Sequence, residues 1–85
     1  MKQLSRQLKA LANERRLRML VLLADKARNV GALAELLKLS FRATSRHLLV
    51  LRNAGLVESE QRGKFVVYRL ERTHPVFRCL AGLLS

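Results

Sequence analysis

The sequence predicts a mainly α-helical domain with one β-hairpin, in the order helix, helix, helix, helix, hairpin, helix. Three observations predict this fold class. Apolar residues recur at helical spacing over most of residues 1–53, and good N-cap residues separate the periodic segments. β-branched and aromatic residues take over between residues 57 and 70. A chain of 85 residues supports one small hydrophobic core, so we expect residues 1–85 to form a single domain.

The first two helices are predicted from leucine spacing and one cap. The first ends around Ala12, and its apolar positions are Leu4, Leu8 and Leu11. The second follows Asn13, a good N-cap, and runs to about Asp25. Its apolar positions are numerous enough that we expect the helix to be largely buried. They are Leu17, Leu20, Val21 and Ala24, with Met19, Leu22 and Leu23 beside them.

The third and fourth helices are each predicted from a capping residue. Asn29 caps a short helix that carries Leu33, Leu36 and Leu37. Ser40 caps a longer helix over residues 41–53, and Gly55 follows as its C-terminal stop.

A hairpin over residues 57–62 and 65–70, with Gly63 at the turn, comes next. Within its second strand, Val66, Tyr68 and Leu70 alternate inward, which leaves Arg69 outward. Pro75 suits the first turn of a fifth helix that reaches about Leu84. The apolar positions of that helix are Val76, Leu80, Leu83 and Leu84.

The chain is strongly basic. Lysine and arginine number 17 against 6 acidic residues, a formal net charge of +11, and arginine supplies 12 of the 17. Hydrophobic residues make up 49% of the chain, too many for a disordered basic tail, so a folded body carries this charge. Such a body is typical of proteins that bind a polyanion, most often nucleic acid.

Composition also excludes several classes of protein. The single cysteine, Cys79, allows no intrachain disulfide and no multi-thiolate metal site, which indicates a reducing compartment. We expect no membrane span and no secretory signal, because apolar runs are short and charges interrupt the first eleven residues. One aspartate, two histidines and one cysteine leave few catalytic combinations. We therefore expect a cytoplasmic protein that is not an enzyme, with no cofactor and no small-molecule substrate.

The third and fourth helices, joined by a tight turn, are typical of a helix-turn-helix. At about 100° per residue, residues 41–53 separate into two faces. One face is expected to pack on the other helices and contains Thr44, Leu48 and Leu51. The opposite face presents hydrogen-bonding side chains near the helix N-terminus, as a recognition helix does in a major groove. It contains Arg42, Ser45 and Arg46, with Arg52 on the flank. A solvated polar face is the alternative for this helix taken alone.

The hairpin tip places Arg62 and Lys64 on either side of Gly63. Directly after a helix-turn-helix, this arrangement favours a wing that reaches backbone phosphates or an adjacent minor groove. An ordinary basic hairpin tip is the alternative. The favoured architecture is thus a winged helix-turn-helix.

Several segments are similar to those of the ArsR-type winged helix-turn-helix repressors. They are residues 11–20 (LANERRLRML), 33–37 (LAELL), Ser40, 45–48 (SRHL), 51–57 (LRNAGLV), 63–64 (GK) and 67–70 (VYRL). The resemblance covers about residues 4–70, and residues 45–57 are its most specific part.

The resemblance implies a homodimer that binds a partly palindromic operator in double-stranded DNA and represses transcription. It implies base reading from the positions occupied here by Phe41, Arg42, Ser45 and Arg46. The dimer would be built from the first and last helices, through Leu4, Leu8, Leu11, Val76, Leu80, Leu83 and Leu84. A short apolar helix at each end of a small domain also points to an isologous dimer on physical grounds. A frayed terminus is the alternative for Leu83 and Leu84.

Roles follow for the individual polar residues. Arg42 and Arg46 are the best candidates for guanine edges, and Ser45 for a base or a phosphate. Phosphate contacts are expected from Arg16, Ser40, Arg52, Arg62, Lys64 and Arg69. His47 is expected to pack or to contact a phosphate. Phe41 either contacts a thymine methyl group or tucks under the start of its helix.

The sequence departs from the family at its metal sites. Many members bind thiophilic metals through a Cys-x-Cys pair, whose positions here are Asn29 and Gly31. His74 and Cys79 are five residues apart, which does not place them on one helical face. We therefore expect no metal site. Cys79 is either a redox switch at the dimer seam or a buried, inert cysteine.

Two other functions remain open at this point. A winged helix also serves as a protein-interaction module, which would bind DNA weakly and without sequence preference. An architectural or RNA-binding protein would use charge without reading bases.

Overall fold

Helices form the first part of the chain, and a three-stranded antiparallel sheet follows. The computed structural model describes residues 2–75 and 77, with the side chains of all of these except 2–4 and 7. Its elements are α1 (Lys2–Leu11), α2 (Glu14–Asp25), β1 (Arg28–Asn29), α3 (Val30–Leu37), α4 (Phe41–Asn53), β2 (Val57–Arg62) and β3 (Phe65–Leu70). These bounds confirm the mainly helical fold with a hairpin wing. Most of the predicted fifth helix lies outside the described residues.

Three helices begin at the predicted caps. The side chains of Asn13, Asn29 and Ser40 each accept a hydrogen bond from the backbone N–H three residues further on, at 3.2, 2.8 and 3.0 Å. The first N–H groups of a helix have no partner within the helix, so each cap is worth about 1 kcal/mol.

The sheet contains one strand more than the sequence predicted. β2 and β3 form the expected hairpin, with Gly63 at φ +58° in its turn. β1 pairs with the other side of β3, where Arg28 lies opposite Tyr68 and Asn29 opposite Val67. Two residues are too few to show the alternation that predicts a strand. β1 joins the start of α3 to the wing.

The core lies where α2, α3, α4 and the sheet meet. Its largest fully buried side chains are Met19, Leu23, Leu33, Leu48, Leu51, Leu56 and Thr44, and Tyr68 of β3 is also buried. Tyr68 is flanked on its strand by the half-buried Val66 and Leu70, while Arg69 is exposed. This confirms the predicted alternation of β3.

The prediction that α2 is largely buried was wrong, because only one side of the helix is buried. Met19, Leu20 and Leu23 are buried against the other elements. Leu17, Val21 and Ala24 are exposed, Val21 by 70%. The sequence placed apolar residues around most of the helix, but a small domain packs its other elements against only one side. Leu17, Val21 and Ala24 therefore form an apolar stripe that no described residue covers.

The turn of the helix-turn-helix passes through Lys38, which follows α3. Its backbone is left-handed, with φ 56° and ψ 44°, and no other non-glycine residue in the described part of the chain has a positive φ. Its N–H donates to the carbonyls of Ala34 and Glu35, and the N–H of Leu39 also donates to the carbonyl of Ala34. This turn sets the direction in which α4 leaves α3. By contrast, Lys26 ends α2 in extended backbone.

The described helices are short, from 8 residues in α3 to 13 in α4. Within residues 2–75 and 77, none combines the length and apolar character that crossing a bilayer requires.

Candidate nucleic-acid interface

The predicted inner face of α4 is confirmed. Thr44, Leu48 and Leu51 are fully buried. The hydroxyl of Thr44 donates to the carbonyl of Ser40 at 2.8 Å, so its burial leaves no unsatisfied group. The opposite side of α4 is consequently turned towards solvent.

The structure brings the predicted base-reading residues together on that outer side. Phe41, Arg42 and Arg46 are exposed and Ser45 is half-buried, all within the first two turns of α4. Within the part of the chain that is described, neither arginine has a carboxylate or hydrogen-bond partner. Since a guanidinium offers five donors, both are free to bind a ligand through them.

Leu49 also lies on this outer side and is exposed. Sequence reasoning missed it, although the same helical projection places it between Arg42 and Ser45. The outer side of α4 is therefore not purely polar.

A basic groove of about 290 Å³ runs beside α4. It is lined by Arg16, Ala43, Arg46, His47 and Val50. His47 is half-buried there. Burial, and then the charges of Arg16, Arg15 and Arg46, hold the pKa of His47 below its ordinary value. The imidazole is thus predominantly neutral at pH 7.

Arg16 has a structural role that the sequence did not predict. Its Nε donates to the carbonyl of Ala10 at 2.8 Å and its Nη2 to the carbonyl of Lys9 at 2.9 Å. Carbonyls at the end of a helix lack partners within the helix and attract a cation. Arg16 therefore connects the end of α1 to the start of α2 through two hydrogen bonds, and it also lines the groove.

Arg52, predicted on the flank, is exposed near the end of α4. Its Nη1 donates to the hydroxyl of Ser59 at 3.2 Å, which joins α4 to β2.

The wing carries cations at its tip and ion pairs at its base. Arg62 and Lys64 flank Gly63, and Arg62 donates to Glu60 at 3.3 Å. Further down, Arg69 contacts Glu58 at 2.8 Å and Glu60 at 3.2 Å.

These acidic partners distinguish the wing cations from one another. The hydrogen bond and charge of Arg62, with those of Arg69, lower the pKa of Glu60. Glu58 lies directly opposite Arg69 in the register, so the pair could have been predicted once Gly63 fixed the turn. Lys64 has no carboxylate partner among the described residues, and Arg69 has two.

An apolar groove of about 240 Å³ separates the start of α4 from the wing. It is lined by Asn29, Val30, Gly31, Phe41, Lys64, Phe65 and Val66. Phe41 is 62% exposed and Phe65 is 50% exposed. Of the two alternatives for Phe41, the one in which its ring tucks under the start of its helix is therefore wrong. Sequence reasoning did not single out Phe65, which lines this groove.

Only part of the predicted dimer surface falls on described residues. Leu8 is 58% exposed, while Leu11 packs partly against the core. The side chain of Leu4, together with Val76, Cys79, Leu80, Leu83 and Leu84, lies outside the described part.

Possible metal ligands are dispersed. Residues 2–75 and 77 contain no group of three or more histidine, cysteine, aspartate or glutamate side chains placed to hold a metal ion. Asn29, which the resemblance aligns with one of the family's cysteines, uses its side chain to cap α3.

The chain is similar to known regulatory proteins. The profile of the "Bacterial regulatory protein, arsR family" matches residues 13–59, more than half of the chain. The transcriptional activator HlyU of Vibrio cholerae is 47% identical over 66 residues, which are 78% of this chain and 61% of that protein. The chain thus spans less than two thirds of the length of this curated relative.

Solved structures share the fold. The structure of HlyU from Vibrio cholerae superposes with a TM-score of 0.82 at 40% identity, over 98% of this chain and 88% of that one. The solution structure of a homodimeric winged helix-turn-helix DNA-binding domain from Mycobacterium bovis superposes with a TM-score of 0.83 at 36% identity. That superposition covers 98% of this chain and 75% of the other.

Proposed function

The chain belongs to the arsR family of bacterial regulatory proteins. We propose that it is a cytoplasmic, sequence-specific, homodimeric repressor that binds a partly palindromic operator in double-stranded DNA. It is a transcriptional regulator with a winged-helix DNA-binding domain. The observation that carries the finer proposal is the outer side of α4, where Arg42 and Arg46 stand exposed with no carboxylate partner among the described residues.

Base reading is proposed for the first two turns of α4. A recognition helix lies in the major groove with its N-terminal residues against base edges. Arg42 and Arg46 would donate to O6 and N7 of guanines, the commonest specific contact in that groove. The short side chain of Ser45 would donate to a base or a phosphate.

Phosphate binding is proposed for the wing tip and for the groove beside α4. Lys64 and Arg62 are exposed on either side of the turn. Their role is to position the domain rather than to read sequence. Arg69 would contribute less, because Glu58 and Glu60 already compensate its charge.

The dimer is proposed as an isologous one built from α1 and the C-terminal residues. Leu8 is exposed on α1, and the apolar stripe of α2 adds to the uncovered apolar surface. The related Mycobacterium bovis domain is homodimeric. Two-fold symmetry in the protein requires a matching symmetry in the operator, with half-sites about one helical turn apart.

Repression is proposed because a domain that occupies an operator can block transcription without also contacting the transcription machinery. Activation is the alternative, because the relative HlyU is named an activator. A reporter fused to the operator distinguishes them, since loss of the protein raises reporter output in one case and lowers it in the other.

The test is selection from a randomised duplex library at near-physiological salt, followed by sequencing of the retained DNA. We expect an inverted repeat. Arg46→Ala is expected to weaken binding to it by about 1–3 kcal/mol, roughly 5- to 150-fold, with little change on random DNA.

Arg18→Ala is the matched control, because Arg18 is an exposed arginine of α2 and its replacement removes the same charge. It is expected to affect operator and random DNA alike. Equal effects of Arg46→Ala on both DNAs would refute base reading. Retention without an enriched motif would instead indicate a basic domain that binds phosphate without sequence preference.

A further inference from the structure

We propose that Phe41, supported by Phe65 of the wing, determines specificity by packing against the C5 methyl group of a thymine in the operator. The inference rests on the proposed function and deepens it, because it names the base feature that one apolar side chain selects.

Phe41 occupies the end of α4 that a recognition helix presents to bases. It is the first residue of α4, directly after the Ser40 cap. Ser45 lies four residues further on and therefore on the same side of the helix. A docking that brings Arg42 and Ser45 to base edges also brings the ring of Phe41 into the major groove.

No described residue of the domain covers the ring of Phe41. Its ring is mostly in water and belongs neither to the core nor to the residues packed against it. Contact with an apolar group would remove this ring surface from water, which is favourable. A phosphate or a sugar hydroxyl gives no such gain, because both are strongly hydrated.

Phe65 and Lys64 indicate which chemical groups a ligand of the groove between α4 and the wing must carry. The exposed Phe65 ring lines the same groove as Phe41, and the Lys64 ammonium lies 5.6 Å from the centroid of that ring. Arg42 stands exposed next to Phe41 on α4. The occupant therefore combines an apolar group with neighbouring negative charge.

Double-stranded DNA supplies both features. In the major groove the apolar projection that differs between base pairs is the C5 methyl group of thymine, and phosphates lie along both edges of the groove. An apolar protein partner would leave Arg42 and Lys64 without anions.

The experiment removes that methyl group alone. In the operator obtained by selection, each thymine is replaced in turn by deoxyuridine, symmetrically in both half-sites, and affinities of the 85-residue chain are measured by fluorescence anisotropy. Deoxyuridine pairs as thymidine does and keeps its O4 acceptor. We expect one position at which replacement weakens binding by about fourfold per half-site.

Variants connect this effect to Phe41. In Phe41→Ala the thymine-to-deoxyuridine ratio at that position is expected to fall to one, and in Phe41→Leu to an intermediate value. Leu36→Ala shortens an exposed apolar side chain on α3 and is expected to keep the wild-type ratio. Because each ratio compares two DNAs with one protein, a general loss of affinity does not alter it. Thermal unfolding verifies that each variant is folded.

The possible failures are distinguishable. Selection without an enriched operator would overturn the proposed function and this inference together. An operator with no methyl-sensitive position, or a methyl effect that persists in Phe41→Ala, would overturn this inference alone.

Discussion

Replacing Lys38 by glycine is expected to stabilise the protein, although it removes a charged side chain from the turn between α3 and α4. Lys38 has φ 56° and ψ 44°, in the left-handed region. An L-residue with a Cβ is disfavoured there by about 1–2 kcal/mol. Glycine escapes that penalty but loses about 0.5–1 kcal/mol more in backbone entropy on folding. The free energy of unfolding of Lys38→Gly is therefore expected to rise by about 0.5–1 kcal/mol.

Urea and thermal denaturation measure this difference. For a domain of this size, the expected gain corresponds to a rise in Tm of about 2–8 °C. Lys26→Gly is the matched control, because Lys26 also ends a helix and is exposed, but at φ −165°. That variant has no left-handed strain to relieve, so we expect it to be less stable than the wild type.

A third variant separates charge from backbone. Lys38→Ala removes the same charge but keeps a Cβ, so its stability is expected to stay near that of the wild type. If Lys38→Ala and Lys38→Gly stabilise equally, the gain comes from removing charge in a strongly basic chain, and the backbone argument is refuted.

Three further outcomes are expected. Lys64→Ala should lower the slope of log affinity for DNA against log salt concentration by about 0.9. Arg69→Ala should leave this slope almost unchanged, because Glu58 and Glu60 already compensate the charge of Arg69. Equal reductions in the two variants would contradict this prediction. Because burial and neighbouring arginines lower the folded-state pKa of His47, the unfolded chain takes up its proton first as the pH falls below 6.5, so stability decreases. The free energy of unfolding should then fall more between pH 7 and 5.5 in the wild type than in His47→Gln. Identical pH profiles of the two proteins would contradict the assignment of this effect to His47. Leu23→Ala opens a cavity in the core and should lower the free energy of unfolding by about 2–5 kcal/mol; a loss below about 1 kcal/mol would show that the core collapses around the gap.

The helix starts and the hairpin were predictable because their causes are local. Asn13 and Ser40 each bond a backbone N–H three residues away, and Gly63 supplies the turn of a hairpin whose strands adjoin it. β1 was not predictable, because it exists only through pairing with β3, far along the chain. The buried side of α2 was not predictable either. Its apolar residues surround most of the helix, and tertiary packing alone decides which of them are covered.

The candidate site was predictable in its residues but not in their pairing. The helical projection grouped Arg42, Ser45 and Arg46 correctly on one side of α4. A sequence gives every arginine the same charge, however, and does not say which is already engaged. Arg16 binds carbonyls of α1 and Arg69 binds two glutamates, so the cations differ in how freely they reach a ligand.

Asn29 contacts both parts of the domain that we propose to face DNA, the wing and the helix-turn-helix. Its backbone pairs with Val67 of the wing, while its side chain caps α3 of the helix-turn-helix. This double attachment ties the wing to the start of α3, so we expect the distance between the wing and α4 to change little when DNA binds. When the grooves of an operator are out of phase with that distance, the duplex must bend or change its groove width. Operators with stiff base steps and operators with flexible ones then differ in affinity, even where the steps lie at positions that no side chain touches.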